Sequence, residues 1–254
     1  MPRYFLEVSY KGSNYSGYQV QENANSIQEE VEKGLEIYFK QRLQLVCSSR
    51  TDAGVHALQN FFHFDLEQPI PESFLYNMNS IIPGDITVKG IFTVPEGSSS
   101  RFDALSREYR YQVYRKKNAF IADTAYYFPY RLDPDRLQLA ADLIMNYSDF
   151  TSFSKKRTQV KDFECRIIYS RWSLENDVWS YEVSANRFLR GMVKGLVGTM
   201  LLVGRGKLSL DEFLAVIESR DCSKADFSVP GHGLFLARVN FPDGLMSYLP
   251  NRWE

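Results

Sequence analysis

Between residues 48 and 57 the chain reads Ser48-Ser49-Arg50-Thr51-Asp52-Ala53-Gly54-Val55-His56-Ala57. The run places one aspartate at a turn and brackets it with Arg50 and His56, so this is where chemistry would sit. Leu43, Leu45 and Cys47 alternate in front of the turn, and Phe62, Phe64 and Leu66 alternate behind it. Both flanks therefore read as strands half-buried on a sheet, which would hold the aspartate on a rigid frame. The same Thr-Asp-Ala-Gly also suits a plain turn, with the Asp side chain accepting backbone N–H groups and Gly supplying a backbone angle that other residues avoid.

The elements that must position this turn follow from spacing. Tyr4, Leu6, Val8 and Tyr10 alternate and predict a strand ending at Lys11-Gly12. Ser26 with Glu29 reads as a capping box, and Ile27, Val31, Leu35 and Tyr38 line one helix face. Pro71 to Ile82 reads as a short helix, and Ile86, Val88, Phe92 and Val94 as another strand. The small, polar segment Pro95–Ser100 marks a boundary, giving an N-terminal half over 1–100 and a C-terminal half over 101–254. In the second half Tyr109, Tyr111 and Val113 predict a strand, and Asp133-Pro134 caps a helix through about Asn146 with Leu137, Ala140 and Ile144 inward. Strands follow over Cys165–Leu174 and Val178–Ser184. A long apolar helix is then expected from about Arg187 to Val203, and a further one is capped by Ser209 and Glu212. On that long helix Arg187, Arg190 and Lys194 would form one narrow stripe opposite Phe188, Met192, Leu196 and Val203. Strands and helices joined by short links within each half argue for an α+β layer structure over a doubly wound parallel one.

Of the 254 residues, 44% are hydrophobic and 24% charged, an ordinary globular balance with no expectation of disorder. No apolar run reaches the length of a bilayer span and Met1-Pro2-Arg3 leads directly into a strand, so the expectation is a cytoplasmic protein with no membrane partner. Cys47, Cys165 and Cys222 make no CxxC pair, and with only three histidines there is no plausible zinc set, so no metal is expected. A net charge of −1 argues weakly against a nucleic-acid partner. Local clusters argue the other way: Lys155-Lys156-Arg157; Arg187, Arg190 and Lys194 with Arg205 and Lys207; and Arg107, Arg110, Arg115, Lys116 and Lys117. A cleft lined by them would attract phosphates. Gly204-Arg205-Gly206-Lys207 lacks the spacing of a nucleotide phosphate loop and follows a helix instead of a strand.

Arg50-Thr51-Asp52-Ala53-Gly54-Val55-His56 resembles the signature of the TruA family of tRNA pseudouridine synthases. Further stretches resemble the same family in order: Tyr10–Gln19, Ser26-Ile27-Gln28, Met78–Ile86, Arg107–Tyr111, Phe188–Lys194 with Val197-Gly198-Thr199, and Gly233–Leu236. The resemblance runs from about residue 4 to 242, and the aspartate motif is its most specific part. It implies two similar α+β halves joining mixed, mostly antiparallel sheets around a central basic cleft, in a homodimer. The implied reaction isomerises uridine to pseudouridine in tRNA, at positions 38 to 40 of the anticodon stem-loop, without a cofactor.

By the same resemblance Asp52 is the nucleophile, attacking C1′ or C6 or assisting proton removal from the ribose. A nucleophilic carboxylate must be ionised, which a nearby cation favours. Lys194 stands where the family usually carries arginine, keeping the charge without the bidentate fork. Tyr109 matches the tyrosine that stacks on the target base, with Tyr111 as its core neighbour, and Arg50 the arginine that fills the stack when the base flips. RNA contacts are implied for Arg101, Arg107, Arg187, Arg190 and His56. Departures at Tyr18, Ser98-Ser99-Ser100 and Ser148 bear on substrate choice. Two other functions fit less well: a non-catalytic RNA-binding protein on the same scaffold, against which the retained Asp52, Tyr109 and Lys194 argue, and an aspartyl phosphotransferase, for which the second acidic residue is missing.

Overall fold

The computed structural model describes residues 1–156 and 160–250; Arg157, the end of one basic run, lies outside them. The chain divides into two compact units, Met1–Leu105 with Leu236–Glu254, and Ser106–Phe235. The division thus falls after Leu105 instead of after Ser100, and the closing segment groups with the first unit instead of the second. The polar segment is not a free linker. The Ser99 N–H donates to the Asp103 carboxylate (2.8 Å) and the Leu105 N–H to the Asn240 carbonyl (2.8 Å), which ties it down.

The first unit begins with β1 (Arg3–Tyr10), α1 (Ile27–Phe39), β2 (Val46–Cys47), β3 (His56–Asp65), α2 (Phe74–Ile81) and β4 (Ile86–Val94). β1 pairs antiparallel with β3, setting Leu6 opposite Phe62 and Tyr4 opposite Phe64, and on its other edge with β4. Lys89 is an extra residue in the β1–β4 ladder, because Glu7 pairs with Gly90 while Val8 pairs with Val88. The bulge moves the buried face from Ile86 and Val88 to Ile91, so the expected inward Phe92 is only half-buried. Helix α1 starts at the expected cap, but only half of the capping box forms: the Ser26 hydroxyl accepts the Glu29 N–H (3.3 Å), while the Glu29 carboxylate pairs with Lys33 (2.9 Å) instead of reaching back to the Ser26 N–H. Strand β2 is shorter than the Leu43–Cys47 alternation predicts. The Glu32 carboxylate takes the Leu45 N–H (2.9 Å), and Gln28 donates to the Leu45 carbonyl (3.3 Å), so side chains of α1 occupy groups a ladder would need.

The second unit comprises β5 (Ser106–Tyr114), β6 (Tyr126–Tyr127), α3 (Pro134–Leu143), β7 (Ile167–Glu175), β8 (Val178–Ala185), α4 (Met192–Gly204) and α5 (Leu210–Glu218). Strands β5, β8 and β7 pair antiparallel in that order, and β6 adds a short parallel pair to β5. Asn176 and Asp177 both have positive φ (50° and 64°), as a two-residue hairpin turn demands. The core holds Tyr111, Tyr181, Phe150, Phe153 and Phe213 with the apolar face of α4. Both the Asp133 cap of α3 and the Ser209–Glu212 capping box of α5 form.

The long helix begins later than its pattern predicts, at Met192 and not Arg187. Gly191 is left-handed (φ 75°), and the Asn186 side-chain oxygen accepts the N–H groups of both Arg166 (2.8 Å) and Arg187 (2.9 Å), holding 186–190 as a loop. Arg187 and Arg190 therefore leave the helix, and the predicted three-residue basic stripe does not exist.

Strand β9 (Leu234–Asn240) carries the chain into the first unit, and β10 (Ser247–Tyr248) pairs with β4. In that unit the order is β10-β4-β1-β3-β9. The fold is α+β with mostly antiparallel pairing. Among the described residues no helix is long and apolar enough to cross a membrane, and no group of three or more His, Cys, Asp or Glu side chains is placed to hold a metal ion.

His63 on β3 adds a pH dependence. It is 8% exposed, and its Nδ1 accepts the Ser100 N–H (3.2 Å). Burial, and then the nearby Arg3, lower its pKa below the ordinary 6.5. The unfolded chain thus takes up the proton more readily than the fold. The contribution of neutral His63 is complete above the unfolded value and is lost as pH falls below it. Urea midpoints measured from about pH 8 to pH 5 should fall in the parent, and a His63→Gln variant should fall less steeply over the acidic half.

Candidate active site

The turn between β2 and β3 is built by backbone. The Val55 N–H donates to the Asp52 carbonyl (3.1 Å), and Gly54 takes a positive φ of 74° that the turn requires. From the β1–α1 loop, the Tyr18 N–H donates to the Thr51 carbonyl (3.0 Å), and the Tyr15 carbonyl accepts the Gly54 N–H (3.3 Å). Two glycines make this approach possible. A Cβ on Gly12 would lie 2.0 Å from the Val55 carbonyl oxygen, and one on Gly17 would lie 2.9 Å from that of Thr51. In the plain-turn reading the aspartate side chain would cap its own loop. Here the main chain does that work, and among the described residues of its own unit the half-buried Asp52 carboxylate has no hydrogen-bond or ion-pair partner.

Beneath the turn lies a polar centre absent from the sequence-level candidates. Asn60, on β3, is fully buried and uses both ends of its amide. Its oxygen accepts from the Ser48 hydroxyl (2.9 Å) and the Phe61 N–H (3.0 Å); its nitrogen donates to the Ser49 carbonyl (2.9 Å) and the Tyr10 hydroxyl (3.2 Å). The Tyr10 hydroxyl in turn meets the Thr51 hydroxyl at 2.9 Å, next to Asp52. A signal was present. Asn60 lies two residues before Phe62 on the face that Phe62 and Phe64 bury, and a polar residue on an apolar face must find partners. Cys47, at the end of β2, is an inert neighbour whose thiol burial pushes up to about 12.

His56 belongs to this frame. It is 1% exposed and its Nδ1 accepts the Gly12 N–H (3.1 Å), so the ring sits in the interior and not on a surface where phosphate would be met. Arg50 is exposed at the start of the turn, and Arg101 is exposed in the Ser98–Leu105 segment with its guanidinium 5.3 Å from the Phe102 ring centre.

In the second unit, Tyr109 is half-buried on β5 and packs edge-on against Phe188 with ring centres 4.9 Å apart. Tyr111 is the core member of the pair: it is fully buried and its hydroxyl donates to the Pro230 carbonyl (2.8 Å). Arg107 donates to the Asn186 carbonyl (3.2 Å), so Asn186 links the β5 arginine to the loop carrying Phe188. Arg187 is half-buried and sits 3.4 Å from the Asp162 carboxylate, while Arg190 is exposed. Lys194 is the one residue of α4 between Met192 and Leu201 that is not buried. It lies in the first helical turn, where the helix dipole disfavours a cation, so its place is not explained by helix stability.

The model of a family described as tRNA pseudouridine synthase matches residues 147–242, which include Arg187, Arg190 and Lys194 but not Asp52. Three full-length relatives cover the rest. The chain is 43% identical over 247 residues to a tRNA pseudouridine synthase A of Parabacteroides distasonis, covering 96% of this chain and 98% of that protein. It is 40% identical over 250 residues to that of Porphyromonas gingivalis (96% and 99% covered) and 39% identical over 240 residues to that of Bacillus subtilis (92% and 97% covered). Likeness of this extent across both units, with the aspartate turn in place, shows that the chain belongs to the tRNA pseudouridine synthase A family.

Proposed function

We propose that this protein isomerises uridine to pseudouridine in tRNA, at positions 38 to 40 of the anticodon stem-loop, with Asp52 as the nucleophile. The observation that carries this reading is the Asp52 carboxylate, left uncommitted within its unit on a turn that main-chain hydrogen bonds close. In the reaction the N1–C1′ bond breaks, the base turns, and a C5–C1′ bond forms; C5 loses a proton and N1 gains one. Atoms and electrons balance within the substrate, so a carboxylate nucleophile and a proton carrier suffice. Tyr109, held in an edge-on contact with Phe188, is assigned to stacking on the base, with its phenol available for the C5 proton. Lys194 is assigned as the cation serving Asp52, and the exposed Arg50 as the side chain that enters the stack when the uridine flips. Arg101, Arg107, Arg187 and Arg190 are assigned to phosphates. The resemblance also supports a homodimer, which light scattering of the purified chain reads directly.

The test is to incubate the purified protein with unmodified tRNA transcripts and map pseudouridine at single-nucleotide resolution. Modification at one or more of positions 38 to 40 is expected. Absence of pseudouridine from every transcript would sink the activity, while pseudouridine confined to other uridines would overturn the assigned positions.

A further inference from the structure

At the C-terminal end of α4 a cavity of about 390 Å³ opens between Arg131, Asp133, Arg136 and the Gly204–Gly206 turn. Three arginines and one carboxylate line it. Asp133 caps α3 by accepting the N–H groups of Asp135 and Arg136, and lies 3.6 Å from the Arg136 guanidinium. Among the described residues neither Arg131 nor Arg205 has an acidic partner. Arg205 is nonetheless fixed: its guanidinium lies 3.5 Å from the ring centre of Tyr130 and 5.6 Å from that of Phe128, and Phe128 packs against Tyr130 at 5.0 Å. Stacking immobilises the plane of a guanidinium and leaves its N–H edges free to donate. A Cβ on Gly206, itself left-handed at φ 68°, would meet the Arg136 guanidinium at 2.8 Å, so the glycine leaves room for that side chain against the turn.

Two uncompensated guanidiniums, one of them pre-oriented, at a solvent-open cavity suit a doubly hydrogen-bonded phosphate. We propose that Arg131 and Arg205 hold a backbone phosphate of the RNA substrate. This rests on the tRNA reading above. The cluster lies roughly 15 Å along α4 from Lys194, at 1.5 Å per residue, so the phosphate belongs to a nucleotide other than the one that reacts. The site is therefore an anchor for the folded tRNA and takes no part in the chemistry. It is also distinct from a nucleotide phosphate loop, which uses backbone N–H groups ahead of a helix.

The experiment is filter binding of a full-length tRNA transcript at several salt concentrations, with turnover at saturating tRNA measured alongside. An Arg131→Gln/Arg205→Gln pair is expected to weaken binding several-fold and to reduce the slope of log affinity against log salt by about 1, with turnover at saturation unchanged. An Arg131→Lys/Arg205→Lys pair should recover most of the slope. An unchanged slope in the Gln pair overturns the proposal, and so does an equal loss in the Gln and Lys pairs, which would trace to disturbed packing on Tyr130. If the double variant does not fold, the exposed Arg131→Gln alone carries the test, with a smaller fall in slope expected and no change overturning the proposal. Failure of the parent protein to bind tRNA in a salt-dependent way would instead strike at the proposed function, so the two failures are separable.

Discussion

Asp52→Asn should lower pseudouridine formation by at least about 10³-fold, equivalent to roughly 4 kcal/mol of transition-state stabilisation, while tRNA affinity stays within about twofold of the parent. The two readouts separate because they depend on different groups. Binding is dominated by contacts to phosphates, which an aspartate does not make. Turnover depends on a carboxylate oxygen, and the isosteric amide is a far weaker nucleophile. The fold should be untouched: the turn is closed by the Asp52 carbonyl and the Val55 N–H, and the variant keeps both. Release of tritium from uridine C5 measures the reaction, and thermal melting serves as the control. Turnover near the parent rate would remove Asp52 from the chemistry and leave a non-catalytic RNA-binding protein as the better description.

The second large effect is expected one layer below. Asn60→Ala strips four hydrogen bonds at once from Ser48, Ser49, Phe61 and Tyr10. A buried donor or acceptor left without a partner costs about 1–3 kcal/mol. Water entering the space left by the amide recovers part of that, so the destabilisation should be about 3 kcal/mol in a urea titration. Tyr10 also loses the partner that sets its hydroxyl against Thr51, and the Asp52 turn loosens. A displacement of about 1 Å at a reacting group can cost on the order of 100-fold, so kcat should fall by about that factor at a temperature where the variant is folded. KM should change little, because no phosphate contact is lost. A folded Asn60→Ala variant with the parent kcat would confine the network to stability.

What could be read from the sequence follows the reach of each signal. Strand β1, helices α1 and α3 and the box that starts α5 are local patterns with local causes, and they lie where spacing and capping residues put them. The start of α4 was misplaced because Phe188, Met192 and Leu196 continue a helical period through residues that are not helical. Asn186 and Gly191 break that period, through a side-chain bond to Arg166 twenty residues earlier and a left-handed backbone. Strand β2 is short for a similar reason, since Glu32 on another element claims the Leu45 N–H. Within the site the aspartate turn was legible as a motif, but its two readings could be weighed only once the bonds closing the turn were seen to be backbone ones. His56 went the same way: the resemblance implied an RNA contact, and its burial against Gly12 gives it a role in the frame.

The placement of β9 has a consequence for how the chain comes into being. The first unit is discontinuous, with more than a hundred residues of the second inserted before its last strands. On the ribosome, β1, β3 and β4 emerge early, yet the β9 neighbour of β3 arrives only near the end of synthesis. Until then the part of that edge which β2 does not cover, since β2 pairs only with Phe62 and His63, displays backbone groups without its ladder, and exposed edges of this kind recruit other chains. Loss of the final twenty residues by premature termination would leave that edge open permanently. Such fragments should be cleared or aggregate even though they still carry Asp52, and the nascent chain is most in need of a chaperone while its second unit is being made.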